Sequence, residues 1–474
     1  MAGEEQIAAG SGVTARPPPD GLSPPTLYWA MLVIASGICL SVLDATLISV
    51  ALPTIARDLK VEAATSVWII NAYQIAIIVA ILPLATLGDK VGYRRVYRVG
   101  MVVFVLASVA CTLSSTVAEL GISRAVQGLG AAGVMSVNAA LVRLIYPRAR
   151  LGRGIALNAL VVAAASAAGP SIAAGILAIA DWKWLFIINI PLGLATLTGA
   201  MLFLPPSSKS QGPFDGLSAV LNVLTFGLIF VGVDSLGHLD FGPATFLMLA
   251  AGIGVGIIFV RRQMRLPLPL LPVDLLRIPV FALSMGTSIC SFAAQMIAFV
   301  SLPFFLQHTL GHTPVETGLL MTPWPLALMV TAPISARLLD RHPAGLLGGV
   351  GLAIFAIGLL ALAMLSAAPS GFDVSWRMAL CGVGFGLFQS PNNHTILTTA
   401  PANRSGGASG MLGTARLTGQ TIGATIVALS FALAPDKSWI AMVIAAVLAG
   451  SGAVLSSLRV SAAGVPRPQQ VGRG

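Results

Sequence analysis

The stretch LSVLDATLISV (residues 40–50) places Asp44 as the sole charge in an apolar run from Leu27 to Leu52. A carboxylate deep in hydrocarbon costs about 2.5–3.5 kcal/mol on insertion scales, and such residues mark ion or proton pathways. The other Asp and Glu fall in tails, loops or the ends of apolar runs, with Asp234 the nearest rival. Arg124 and Arg416 are the two bases inside apolar runs. Arg124 has no acid within helical reach in its own run, so its partner must come from another one. The chemistry these residues allow is proton exchange at a carboxylate, tuned by a facing cation. Hydrolytic chemistry finds no support. The five His residues lack metal-ligand spacing such as HExxH, and Cys39, Cys111, Cys290 and Cys381 all lie in apolar runs. The chain does not read as an enzyme, and it calls for no cofactor or metal.

The elements that position these side chains must be membrane helices. Of 474 residues, 56% are hydrophobic and only 9% charged, against about 25% charged in soluble domains. About 20 apolar residues cross a hydrocarbon core of about 30 Å, and the chain offers fourteen such runs between residues 27 and 458. The expected fold is thus an all-α polytopic membrane protein. The net charge of +10 sits in short connecting segments and forms no stripe for nucleic acid. With the N-terminus inside, twenty of the 27 Lys and Arg fall in inner segments and five in outer ones. That bias puts both termini in the cytoplasm. Residues 1–26 read as a disordered cytoplasmic tail, and residues 460–474 as a second tail.

A weak repeat divides the remainder. GDKVGYRR (88–95) follows the second run and LDRHPAGL (339–346) the tenth, each placing an acid and then a base at the inner mouth of a span. Equivalent positions for these segments give an N-terminal six-helix bundle at 27–204 and a C-terminal one at 278–459. Two inserted helices with their loops lie at 205–277. Two-half architectures of this kind are the trace of transporters built from repeats.

Five motifs in order resemble the major facilitator superfamily, in particular its fourteen-helix branch of drug–proton antiporters. They are LDATLISVALPTIARDL (43–59), LGDKVGYRRVYRVG (87–100), LGISRAVQGLGAA (120–132), GPSIAAG (169–175) and WKWLFIINIPLG (182–193). The resemblance covers roughly 27–459 and implies two six-helix bundles with two extra helices between them. Three departures stand out: Ala85 in place of Gly, Tyr93 in place of a base, and Ala173 and Ala174 in place of paired glycines.

The resemblance implies proton coupling at Asp44, with Arg124 facing it from span 4. It implies a gating loop of Asp89, Lys90, Gly92, Arg94 and Arg95, in which Asp89 bonds a neighbouring helix start or pairs with Arg94 or Arg95. It also implies an antiporter motif at Gly169, Pro170 and Gly175, where small residues allow close helix approach. Polar and aromatic residues are candidate cavity lining, namely Trp68, Tyr73, Gln74, Asn138, Phe299, Trp324 and Gln389 beside Asp44. Thr46, Asn71, Asn158, Gln295, Asn392, Asn393 and His394 extend that set.

The function this implies is export of hydrophobic, cationic drugs, such as quaternary ammonium compounds, dyes and biguanides, by a monomer in a bacterial inner membrane. The alternative is export of an endogenous metabolite or self-made antibiotic. Asp44 would hold a proton or face a cationic substrate, and that exclusion is antiport. Each inward proton supplies about 2.3 kcal/mol per 100 mV and about 1.4 kcal/mol per pH unit.

Overall fold

The computed structural model describes residues 21–463, except 148–149, 208–213, 238, 267–268, 367, 402–403 and 435–436. Most of both expected tails lies outside the described residues, as do Arg16, Arg148, Lys209, His238, Arg467 and Arg473. The regular structure described is helical. Within hydrocarbon each backbone N–H and C=O needs a partner in its own segment, and the helix supplies one.

The first group of helices is α1 (Thr26–Asp58), α2 (Ala63–Ser66), α3 (Trp68–Val91), α4 (Tyr93–Leu113), α5 (Val117–Ile145), α6 (Leu151–Ile179), α7 (Trp184–Ile187) and α8 (Asn189–Phe203). Then come α9 (Gly216–Gly237) and α10 (Pro243–Gln263). The last group is α11 (Pro279–Phe304), α12 (Pro314–Met321), α13 (Pro323–Leu338), α14 (Ala344–Ala363), α15 (Gly371–Thr399), α16 (Ser405–Leu433) and α17 (Ser438–Ala463). Boundaries follow local chemistry. Gly92 ends α3 at φ 102°, a left-handed conformation that favours glycine. Capping boxes, Thr116 with Glu119 and Thr313 with Glu316, start α5 and α12.

Among the described residues, twelve helical stretches are long and apolar enough to cross a membrane. Composition suggested fourteen such stretches. The two stretches that fall short, expected at 376–399 and 408–433, lie on α15 and α16, each 29 residues long. Gln389, Asn392, Asn393 and His394 dilute the first, and Arg416 and Gln420 the second. A helix flanked by other helices needs less apolar surface than one facing lipid.

The packing repeats itself. α1 packs on α6 and α8, α5 on α3 and α4, and α4 on α8. In the same pattern α11 packs on α16 and α17, α15 on α13 and α14, and α14 on α17. Contacts between the two groups are paired as well: α1 meets α11, while α6 meets α12 and α13 just as α16 meets α2 and α3. α9 and α10 pack on each other, and α9 also touches α3 and α16.

At the end opposite the α3–α4 turn, the groups close on each other. Gln307 Nε2 donates to the Val50 carbonyl at 3.1 Å, and the Ser171 and Thr322 hydroxyls lie 2.7 Å apart. A Cβ on Gly318 would sit 2.5 Å from the Pro170 carbonyl, so the approach of α12 to α6 requires glycine there. One continuous buried cluster crosses this closure, including Leu47 and Leu52 of α1 with Ile297 and Phe304 of α11.

Candidate functional site

Asp44 is fully buried (0% exposed) and Arg124 nearly so (1%), and the two form an ion pair between α1 and α5. Both members have further partners. Gln127 Nε2 donates to Asp44 Oδ1 at 3.0 Å, and Asn189 Nδ2, from the start of α8, donates to the same oxygen at 2.7 Å. Arg124 also donates to Gln127 Oε1 at 2.6 Å and to the Ile69 carbonyl at 3.3 Å. Donors converge on both carboxylate oxygens, the arrangement an ionised Asp accepts. A buried pair survives only with such extra hydrogen bonds. The Arg124 guanidinium lies 4.1 Å from the Tyr73 ring centre, and the Tyr73 hydroxyl donates to the Ser41 carbonyl at 3.0 Å.

Beside this cluster, between the two helix groups, is a cavity of about 150 Å³. Its wall includes Ser41, Thr46, Tyr73, Gln74, Gln295, Phe299 and Arg416. A second cavity, of about 390 Å³, shares Ile81, Met135 and Gly413 with it and reaches Asp89, Tyr93 and Arg143 at the α3–α4 end. The path from the centre therefore runs toward that end, while the opposite end is closed. The central cavity is thus continuous with the space at the α3–α4 end and shut off from the opposite one.

The structure places the expected lining unevenly. Tyr73, Gln74, Phe299, Thr46 and Gln295 line the central cavity. Asp44 does not. It points away from the cavity to Arg124, Gln127 and Asn189, which corrects its expected place on the wall. Trp324 stands behind Phe299, with ring centres 5.0 Å apart, and Trp68 packs over Gly121. Asn138 is buried, Gln389 half-buried, and neither lines the two cavities. Asn71 donates to Asp234, and Asn392 Nδ2 donates to Ser288 Oγ at 2.7 Å.

In the expected gating loop Asp89 bonds the start of the next helix, Tyr93 of α4. Among the described residues Asp89 pairs with neither Arg94 nor Arg95. It accepts a hydrogen bond from the Tyr93 hydroxyl at 2.6 Å, so the residue standing where a base is usual supplies its partner. Arg94 donates to the Met201 carbonyl, Arg95 is exposed, and the Tyr93 N–H donates to Ser207 Oγ at 3.0 Å. Lys90 lies on the last turn of α3 and Gly92 forms the bend. In the antiporter motif, Gly169 abuts Thr46 of α1, and Pro170 meets Gly318 across the two groups. Gly175 faces open space, so its small size serves no contact here.

Sequence reasoning missed three participants. Gln127 lies one turn after Arg124, so its spacing was available as a signal. Asn189 is a lone amide in an apolar stretch. Arg459 read as an inner-loop charge but is buried, donating to Asn392 Oδ1 at 2.7 Å and Ser284 Oγ at 3.0 Å.

A two-group bundle of membrane helices around a central cavity, with a buried ion pair beside it, defines a membrane transporter. Residues 34–424 match the family model of the Major Facilitator Superfamily, and the chain belongs to that family. It is 54% identical over 445 residues to the uncharacterized transporter YebQ of Escherichia coli (strain K12), covering 93% of this chain and 97% of that one. It is 30% identical to the tetracenomycin C resistance and export protein of Streptomyces glaucescens, over 90% of this chain and 79% of that one. The fold matches a crystal structure of a POT family transporter in complex with 5-aminolevulinic acid. That match has a TM-score of 0.69 at 16% identity and covers 92% and 96% of the two chains. The protein is a multi-span membrane transporter and not an enzyme.

Proposed function

We propose that the protein is a proton-coupled exporter of hydrophobic organic compounds in a bacterial inner membrane, working by alternating access. In this reading α15 and α16 also span the bilayer, giving fourteen spans with both termini cytoplasmic. The observation that carries the proposal is the Asp44–Arg124 pair behind Tyr73. When Asp44 takes a proton, Arg124 loses its counter-charge and must rearrange. Tyr73, stacked on Arg124 and lining the cavity, passes that rearrangement to the substrate space. Coupling is therefore indirect: Asp44 carries the proton and does not touch the substrate in this arrangement.

The closure between α1 and α11 and between α6 and α12 is the element that must open for release, by rocking of one helix group against the other. The relative that exports tetracenomycin C supports outward transport. It is compatible with the second reading, a dedicated metabolite or antibiotic as cargo, as well as with a broad drug panel. A growth panel separates the two in a pump-deficient strain carrying the wild-type chain or Asp44→Asn. Quaternary ammonium compounds, dyes, biguanides and aromatic polyketides are the challenge. Protection against one or more compounds that disappears in Asp44→Asn is expected. Protection that is equal in both strains contradicts the coupling role.

A further inference from the structure

Arg416 is the only charged side chain among the described residues that line the central cavity. It stands near the middle of α16, and its guanidinium carbon lies 5.6 Å from the Phe292 ring centre. Among the described residues it has no hydrogen bond and no ion pair. That sets half-buried Arg416 apart from the two buried bases: Arg124 has Asp44, and Arg459 has Ser284, Asn392 and Ser456. A membrane Arg without a partner is costly, and one that faces a cavity is a site for what enters it. The guanidinium offers a planar fork of donors matched to a carboxylate or a similar acid. The rest of the wall is mostly apolar, including Val42, Ile77, Met135, Met296, Phe299 and Leu417. No carboxylate on that wall among the described residues would receive a cation.

We propose that the cavity binds amphiphilic organic acids, compounds with an apolar body and one anionic group, and that Arg416 is the residue that recognises the acid. This rests on the export reading, and it reverses the charge of the substrate class that the motifs imply. The acid pairs with Arg416, and the apolar body lies against Phe299 and Met296. Neutralising Arg416 removes a charge-assisted hydrogen bond, so acid binding weakens about tenfold to a hundredfold.

The test is thermal unfolding of the full chain, purified in detergent, with matched probes: naphthoic acid against naphthylmethylamine, and fluorescein against a rhodamine ester. The acid of a pair is expected to stabilise the wild type and Arg416→Lys, and to lose that effect in Arg416→Gln. The unliganded melting curve of each variant reports its folding, and Arg416→Lys keeps the charge if Arg416→Gln folds poorly. Stabilisation by the amines instead overturns the proposal. So does an acid effect that survives Arg416→Gln, or a panel in which no acid binds. Everted vesicles separate this from the export reading. Proton movement driven by amines but not by acids removes only the acid assignment. Acid binding without any proton movement removes only the export reading.

Discussion

The guanidinium carbon of Arg124 lies 4.1 Å from the centre of the Tyr73 ring, so one side chain of the cavity wall also covers the buried ion pair. Asp44 and the substrate space are thereby neighbours that do not touch. Any coupling between proton and cargo in this arrangement must pass through Tyr73 or the backbone of α1.

Tyr73→Ala is expected to open the ion pair to the cavity. Vesicles carrying it should leak protons without added substrate, and the protein should lose about 3–5 kcal/mol of stability, the usual cost of truncating a buried aromatic. Tyr73→Phe keeps the ring over Arg124 and should stay coupled. A tight Tyr73→Ala protein would show that the ring is not the barrier.

Asp44→Asn leaves Arg124 buried without its counter-charge, which costs about 3–5 kcal/mol. The double variant Asp44→Asn/Arg124→Gln should regain most of that stability while remaining uncoupled. Thermal unfolding reads the first effect and proton flux the second. Recovery of both together would mean that the pair serves packing alone.

At the closed end, Gly318→Val should block the approach of α12 to α6, because even a Cβ there meets the Pro170 carbonyl at 2.5 Å. Export should fall sharply while the folded fraction is retained. Gly175→Ala, facing open space, should change stability by no more than about 0.5 kcal/mol. Cysteine labelling from the outer side reports which state each variant occupies.

Asp215 accepts from Arg262 Nη2 at 2.9 Å, joining the start of α9 to the end of α10, with both side chains more than a third exposed. Solvent screening limits such a pair to about 0–1 kcal/mol. Asp215→Ala should therefore leave transport intact. Loss of export would give these two helices a direct part in the cycle.

The sequence carried the strongest elements of this site for physical reasons. Asp44 stands out because an acid in a 26-residue apolar run (27–52) needs either an interhelical partner or a proton-handling role, and Arg124 because it lacks an acid nearby in its own helix. The positions of their partners were not legible. Asn189 comes to Asp44 from 145 residues away, and only the packing of α1 on α8 brings the two together. The direction in which Asp44 points was also hidden. Helical periodicity places a side chain on a face, but not on the cavity side or the buried side of a bundle. α15 and α16 stand apart from the other long helices because Gln389, Asn392 and Arg416 interrupt their apolar faces, and of these Asn392 is fully buried against neighbouring helices. Tyr93 was legible only as a departure from a motif, until its hydroxyl was found on Asp89.

The central claim is that Asp44 carries the coupled proton. The most direct measurement is the lumenal pH of everted membrane vesicles, energised to an acid interior and challenged with a mixed panel of amphiphilic acids and lipophilic cations. Wild-type vesicles should lose part of the gradient on addition of a transported compound, and Asp44→Asn vesicles, at matched protein level, should hold it. A gradient that collapses equally in Asp44→Asn vesicles would contradict the account.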